Sequence, residues 1–280
     1  MNRTTEGAKP YKSSPVIPKS ACSIFAGGVC LPIDNLVAGK RKFCCLLLFK
    51  RSLMNTNRKR DRGIIFDMDN TLLQSTIDFK AMKQDLFNML AAQGIIPEDF
   101  TVQGYTSSML LDYARQQGIA HELEQNLLDT IAHHEFDGMQ GVGLEPGAVE
   151  LLTALCNDYT LVLVTNNAHA AAEKALHSTG IHSRFDLIVG RDQMEALKPS
   201  PSAYLLVKRH FPHIGDQSWI SVGDSWIDGR ASLDAGIPFV TYKTSPEAML
   251  ERGVSPSAAV RQLSELPEII QSLMERGSNV

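Results

Sequence analysis

Seven polar residues of this chain combine carboxylates with one hydroxyl, one amide and one cation. They are Asp67, Asp69, Thr165, Asn166, Lys198, Asp224 and Asp228. Two or three carboxylates that converge on one point do not all stay ionised without a compensating charge. A Mg²⁺ ion would supply that charge, because Mg²⁺ in proteins combines a few carboxylates with waters and substrate phosphate oxygens. The residue types therefore predict a Mg²⁺ site that handles a phosphoryl group.

The same residue types fit a reaction in two steps. A carboxylate at the end of a strand can attack phosphorus and form an aspartyl-phosphate, which water later cleaves. A second carboxylate two residues further on can give a proton to the leaving oxygen and then accept one from that water. Lys198 would neutralise one side of the phosphoryl group, and Thr165 with main-chain N–H groups would bind the remaining oxygens.

Short apolar runs are the elements that must hold these residues. The runs cover residues 64–66, 159–164, 185–189, 219–222 and 238–242. Helical patterns alternate with the later runs at roughly 147–157, 168–179, 200–210 and 228–235. Strands that alternate with helices are typical of a parallel sheet with both faces covered. Because ligands of such sheets bind beyond the carboxyl ends of the strands, we predict a doubly wound α/β fold with the polar residues at one edge.

The first interval between strands is too long for a single crossover. Asp67 and Thr165 are 98 residues apart, whereas a crossover unit needs about 30. The excess contains helical patterns at 78–93, 103–117 and 120–137, with a glycine near the end of each as a stop signal. We therefore predict an α-helical cap inserted into the core. The predicted parts are a basic, disordered N-terminal extension over 1–62, a core over 63–75 and 146–280, and a cap over 76–145.

Charge divides the chain into two parts of opposite sign. Residues 1–62 hold 13 Lys and Arg against 3 Asp and Glu, whereas residues 63–280 hold 14 against 28. A body this acidic repels a polynucleotide, and no apolar run reaches the roughly 18 residues of a membrane span. We therefore expect no polynucleotide partner and no membrane span. Only one of the 5 cysteines lies in the acidic body, so we do not expect a disulfide framework. We expect a cytoplasmic location, where cysteines stay reduced.

The basic extension has no sustained hydrophobic period, and we do not expect it to fold. Its apolar run at 43–49 lies between Lys and Arg residues and is too short to span a bilayer. Three interpretations stay open: an organellar targeting segment, a loose surface or membrane-adhesion segment, and a start site at Met54 that makes the preceding residues an artefact. The compact domain expected from Gly63 onwards favours the third.

The polar residues form four motifs that together resemble those of the haloacid dehalogenase superfamily of hydrolases. The motifs are Asp67-Met68-Asp69-Asn70-Thr71-Leu72, Thr165-Asn166, Lys198-Pro199 and Gly223-Asp224-Ser225-Trp226-Ile227-Asp228. Each motif alone is common, but here all four occur in order, with intervals of 98, 33 and 26 residues. The resemblance covers residues 63–245, and the insert is similar to the small helical cap of the phosphoglycolate phosphatase-like branch. It implies a Rossmann-like core.

The resemblance implies catalytic and phosphate-binding roles. Asp67 would be the nucleophile and Asp69 the general acid and base. Thr165, Asn166 and Lys198 would bind the substrate phosphate. Dehalogenases of the superfamily lack an acid at the position of Asp69, because halide leaves without a proton, so this residue favours phosphoryl chemistry.

The resemblance also implies a Mg²⁺ site. Its ligands would be Asp67, the main-chain carbonyl of Asp69 and Asp224, with Asp228 supporting the site. Asn70 stands where glycine is frequent in the superfamily. This departure does not put activity in doubt, because Asn tolerates unusual backbone angles better than most residues.

These features predict a Mg²⁺-dependent phosphatase that acts on a small phosphorylated metabolite, as a monomer or weak dimer. Two alternatives are kept: a phosphosugar mutase of the same superfamily, which needs a cap that returns the phosphoryl group, and a non-catalytic module that uses the fold for binding. The intact cluster of Asp67, Asp69, Lys198 and Asp224 argues against the non-catalytic module. Cap side chains that could reach the leaving group are Gln74, Ser75, Lys80, Lys83, Tyr105 and Arg115.

Overall fold

The chain divides into two compact units, residues 1–57 and 58–280. The computed structural model describes residues 25–26, 29–30, 60–97 and 99–277. In the first unit, strand β1 (Phe25–Ala26) pairs in antiparallel fashion with β2 (Val29–Cys30). The other predictions for residues 1–59, including the run at 43–49 and the start site at Met54, lie outside the described residues.

A parallel six-stranded sheet organises the second unit. Its strands are β3 (Gly63–Phe66), β6 (Thr160–Val164), β7 (Leu187–Val189), β8 (Trp219–Gly223), β9 (Phe239–Tyr242) and β10 (Ala258–Val260). Their order across the sheet is β10-β9-β8-β3-β6-β7, so β3 lies between β8 and β6. The five predicted runs correspond to β3, β6, β7, β8 and β9, whereas the short edge strand β10 is not predicted by the sequence pattern.

The residues of the central strand alternate between the two faces of the sheet. Ile64 and Phe66 pack into one hydrophobic cluster, and Ile65 packs into a second cluster. All four residues of β3 are buried, as expected for a parallel strand covered on both faces. Gly63 lies against the ring of Trp219, where a Cβ would come within 2.2 Å of the ring. The predicted doubly wound α/β fold is confirmed.

Within the described residues, six helices accompany the sheet. They are α4 (Ala148–Leu155), α5 (His169–Ser178), α6 (Ser202–His210), α7 (Trp226–Asp234), α8 (Pro246–Glu251) and α9 (Leu266–Gly277). The first four begin and end within two residues of the predicted patterns. The last two are additional to the prediction: Ser245 caps α8, and α9 buries Leu266 and Ile270 in the core.

The described residues between β3 and β6, where the insert is predicted, form three further helices. They are α1 (Phe79–Ala92), α2 (Ser107–Gln116) and α3 (His121–Gly138), and they enclose a hydrophobic cluster of their own. The predicted pattern at 103–117 starts too early, because the Thr106 side chain caps α2 by accepting a hydrogen bond from the Met109 N–H. Among the described residues, no helix is long and apolar enough to cross a membrane.

The two ends of the insert meet where they leave the core. Strand β4 (Leu73–Gln74) pairs in antiparallel fashion with β5 (Gly143–Leu144). Gly138, at the end of α3, packs against Ile77, three residues after β4. A Cβ on Gly138 would be 2.4 Å from the Ile77 Cα. The entry and the exit of the insert are therefore held against each other.

Candidate active site

The predicted site residues meet at the carboxyl edge of the sheet. Asp67 follows β3, Thr165 follows β6 and Asp224 follows β8, and these three strands are neighbours. All seven predicted residues line one cleft, which has a volume of about 410 Å³. A cleft of this volume suits a small-molecule ligand. Residues of the insert line the opposite wall.

Lys198 is the central cation of the cleft and is only 1% exposed. Its Nζ lies 2.7 Å from an Asp67 oxygen and 2.6 Å from an Asp228 oxygen, and it donates to the Val164 carbonyl at 3.0 Å. Burial opposes the charge of this lysine, yet the carboxylates of Asp228 and Asp67 raise its pKa well above the ordinary value. Lys198 is therefore a fixed positive charge beside Asp67.

The Asn166 side chain holds the main chain of this lysine. Its Oδ1 accepts from the Lys198 N–H at 2.9 Å, and its Nδ2 donates to the Lys198 carbonyl at 3.0 Å. The same Nδ2 donates to Ser108 Oγ in the insert at 2.9 Å. Thr165 is buried, and its Oγ1 accepts from the Asn167 main-chain N–H at 3.1 Å. Phosphate binding by Asn166 stays a prediction, while its side chain positions Lys198.

Asp69 has one carboxylate oxygen with a partner and one without. Its Oδ2 accepts from Asn167 Nδ2 at 2.9 Å, whereas the buried Oδ1 has no hydrogen-bond partner within the described part of the chain. Burial first, and the negative charge of Asp67 second, raise the pKa of Asp69 to about 7. A carboxyl group with that pKa can both give and accept a proton near neutral pH, as general acid–base catalysis requires.

The chain turns sharply after Asp69. Asn70 has a φ of +57°, in the left-handed region where Asn is several-fold enriched among non-glycine residues. Its N–H donates to the Leu73 carbonyl at 2.7 Å. The turn brings the Thr71 hydroxyl to Asp67 Oδ2, to which it donates at 3.1 Å. Asn70 is therefore compatible with the turn, and Thr71 adds a contact to Asp67 that the sequence analysis does not include.

Three carboxylates are close enough to share a metal ion. One oxygen each from Asp67, Asp224 and Asp228 lie within 4.8 Å of one another. Burial, followed by the charge of Asp67, raises the pKa of Asp224 to about 8 and that of Asp228 to about 6. A cation bound between these carboxylates would favour their ionised forms. Because all of these donors are carboxylate oxygens, they fit Mg²⁺, a hard cation with oxygen ligands.

A buried ion pair that the sequence analysis does not include joins the insert to the core. Glu135 of α3 is 2% exposed, and its carboxylate contacts both terminal guanidinium nitrogens of Arg191, just beyond β7. Arg191 also donates to the Asn166 carbonyl at 3.1 Å, and the Ala168 N–H donates to Glu135 at 3.3 Å. Two sequence signals indicate the pair: Glu135 falls four residues after the apolar Ile131 on one helix, and Arg191 comes two residues after a strand end.

The insert wall of the cleft carries two lysines that pair with no acid in the described part of the chain. Lys80, Lys83 and Tyr105, three of the six cap residues predicted near a leaving group, line this wall. Neither lysine forms an ion pair with any residue that the structure describes. The other three predicted cap residues, Gln74, Ser75 and Arg115, lie outside the lining. Arg115 pairs instead with Glu124 at 2.8 Å.

Comparison with known proteins adds a family and several relatives. The model of the haloacid dehalogenase-like hydrolase family matches residues 64–242. A phosphoglycolate phosphatase of Rhodobacter capsulatus is 26% identical over 75% of this chain and 96% of its own. An N-acetylmuramic acid 6-phosphate phosphatase of Pseudomonas putida is 28% identical over 63% of this chain and 80% of its own. The crystal structure of a hydrolase from Pseudomonas syringae has a similar fold, with a TM-score of 0.58 and 21% identity over 75% of this chain and 98% of its own.

Proposed function

Because this chain belongs to the haloacid dehalogenase-like hydrolases, we propose that it is a Mg²⁺-dependent phosphatase that acts through an aspartyl-phosphate on Asp67. The observation that carries the proposal is the buried contact of 2.7 Å between Lys198 and Asp67 at the end of the central strand. The lysine holds the Asp67 carboxylate in place at the end of the strand and offers positive charge to a transferring phosphoryl group. Two relatives are phosphatases, which supports a phosphate ester as the substrate.

The reaction has two chemical steps. In the first, an Asp67 oxygen bonds to phosphorus while the bond to the ester oxygen breaks, and Asp69 gives its proton to that leaving oxygen. In the second, water attacks phosphorus and gives a proton to Asp69, and the bond between phosphorus and Asp67 breaks. The products are an alcohol and inorganic phosphate, and both carboxyl groups return to their starting states.

Mg²⁺ would be held by Asp67, the Asp69 carbonyl and Asp224, with Asp228 in support. When bound, the ion supplies positive charge to the phosphate oxygens. Lys198 supplies charge from another side.

The insert would select the leaving group. We assign residues 76–145 to a cap and residues 63–75 and 146–280 to the core. The core wall holds the groups that serve the phosphate, so the rest of the substrate faces Lys80, Lys83 and Tyr105 of the cap. Two cations without acidic partners among the described residues favour a leaving group that is small and negatively charged, such as one with a carboxylate.

We also propose a cytoplasmic location, which the cysteine usage supports.

Phosphate release from a panel of small phosphomonoesters, with and without Mg²⁺, tests the proposal on the full chain. We expect release that needs Mg²⁺ and stops when EDTA removes it. Isomerisation of a sugar phosphate that needs a bisphosphate activator and releases little phosphate would identify a mutase instead. A folded protein that releases no phosphate from any ester and isomerises none would overturn the enzymatic assignment and favour the binding module.

A further inference from the structure

Glu135 is an insert residue that contacts the core at three hydrogen-bond donors. Two are the terminal guanidinium nitrogens of Arg191, and the third is the Ala168 N–H. Among the described insert residues that line the cleft, Glu135 is the only acid. The proposed mechanism does not use it, although a buried carboxylate persists only where its partners compensate for lost hydration.

We propose that Glu135 and Arg191 are positioning residues for the loop after β6, which would present Thr165 and Asn166 to the phosphoryl group. The inference rests on the proposed phosphatase function. Arg191 fixes the Asn166 carbonyl at 3.1 Å, while Glu135 fixes the Ala168 N–H at 3.3 Å. The pair therefore holds the segment 166–168 at both ends without itself needing to touch the phosphate.

Closure of the insert and geometry of the loop are coupled by this arrangement. Glu135 lies on α3, and Ser108 of α2 accepts a second hydrogen bond, from the Asn166 side chain. If the insert moved away, the loop would lose both contacts at once. Because reaction rate is sensitive to errors of about 1 Å in the placement of reacting groups, the loop reaches its productive geometry only when the insert is docked.

A second buried glutamate offers a matched control. Glu145 is 4% exposed and accepts hydrogen bonds from the Tyr242 hydroxyl at 3.0 Å and Lys243 Nζ at 2.7 Å. Like Glu135, it is a buried acid paired to a cation, and it lies directly after the insert's exit strand. Unlike Glu135, it does not line the cleft and does not contact the loop after β6. Glu145→Met therefore reports the cost of losing a buried glutamate without disturbing that loop.

Steady-state kinetics with p-nitrophenyl phosphate and Mg²⁺ separates positioning from simple stability. For Glu135→Met in the full chain, we expect kcat to fall at least about tenfold, with a smaller change in KM, since Lys198 and Mg²⁺ still bind the phosphate. Glu145→Met should keep kcat within about twofold even if it lowers the melting temperature as much. The double variant Glu135→Met/Arg191→Met should lose less kcat than the product of the two single losses, because the two residues act as one unit.

Three kinetic outcomes would overturn the inference. They are an equal fall in kcat for Glu145→Met, an effect of Glu135→Met on KM alone, and losses at Glu135 and Arg191 that multiply in the double variant. If Glu135→Met does not fold, Glu135→Gln replaces it. Gln keeps one acceptor oxygen, so we expect a kcat between those of the wild type and the methionine variant, and an unchanged kcat would count against positioning.

Hydrogen exchange provides a readout that does not need turnover. In Glu135→Met, the Ala168 amide loses its acceptor, so we expect its exchange to accelerate while exchange in β9 stays at the wild-type rate. Unchanged protection at Ala168 would overturn the inference. If the wild-type protein releases no phosphate at all, the proposed function fails, whereas this exchange measurement still decides whether Glu135 orders the loop.

Discussion

The two walls of the cleft differ in whether their lysines are paired with carboxylates. On the core wall, Lys198, Asp67 and Asp228 are buried, and the lysine Nζ lies within 2.7 Å of an oxygen of each carboxylate. On the insert wall, Lys80 is exposed, Lys83 is half-buried, and neither pairs with an acid in the described part of the chain. The core wall is organised before a ligand arrives and suits one constant group, while the insert wall leaves its cations available for a group that varies.

Removal of the proposed nucleophile is the most severe test of the core wall. Asp67→Asn keeps the size of the side chain but removes its charge, so we expect kcat to fall by at least about 10⁴-fold with the fold retained. Phosphate release measures the loss, and circular dichroism checks the fold. Asp61→Asn, at an exposed acid just before β3, is the control and should keep the full rate. Turnover by Asp67→Asn near the wild-type rate would contradict the mechanism.

The same substitution at one lysine of each wall should give very different stabilities. Lys198→Met leaves two buried carboxylates without their cation, so we expect the free energy of unfolding to fall by about 3–5 kcal/mol. Lys83→Met should change it by less than about 0.5 kcal/mol. Urea unfolding of the two metal-free variants measures the contrast. Equal changes in the free energy of unfolding would show that the lysines of the two walls do not differ in their pairing.

Binding of Mg²⁺ to the core wall should tighten as pH rises. The ion must displace protons from Asp224 and Asp228, whose pKa values are raised to about 8 and about 6 in the metal-free site. We expect the affinity to rise by up to about tenfold per pH unit for each proton released, between pH 6 and 8. Isothermal titration calorimetry in buffers of different ionisation enthalpy counts those protons. Asp224→Asn should flatten the dependence, and a pH-independent affinity of the wild type would contradict the assignment.

The smallest expected effect concerns the insert wall and the choice of substrate. Lys83→Met should lower kcat/KM for a carboxylated phosphomonoester by up to about fivefold, the size of a half-exposed ion pair of about 1 kcal/mol. It should leave kcat/KM for an uncharged ester of similar size unchanged. Lys174→Met, on α5 outside the cleft, controls for loss of charge in general. An equal loss on both esters would place Lys83 in phosphate binding instead of leaving-group selection.

The core half of the site can be predicted from sequence because one simple rule applies to it. Asp67, Thr165 and Asp224 each follow an apolar strand, and parallel strands bring their carboxyl ends to one edge of the sheet. The order of strands then places the three residues side by side. The catalytic and binding roles of these residues stay predictions, although the structure brings them together in one cleft.

Contacts made by tertiary packing escape that rule. Asn167 reaches Asp69, and Glu135 reaches Arg191, only because loops and helices far apart in sequence are docked together. The same limit applies to local structure. Strand β10 consists of two alanines and one valine, and alanine is depleted in strands, so no strand-forming run marks it. Helix α2 starts later than its apolar pattern because Thr106 caps it. The signal for Glu135, an acid at an apolar position of a helix, is visible only when buried positions are assigned first.

The pairing of β4 with β5 holds the two ends of the insert side by side. Entry and exit are joined by antiparallel hydrogen bonds, so the core strands keep their register whatever lies between those two points. The entropy of closing a loop grows only with the logarithm of its length, about 0.6 kcal/mol for each doubling. An insert can therefore be lengthened, shortened or exchanged as a cassette in the course of evolution, while the core beneath it is inherited unchanged.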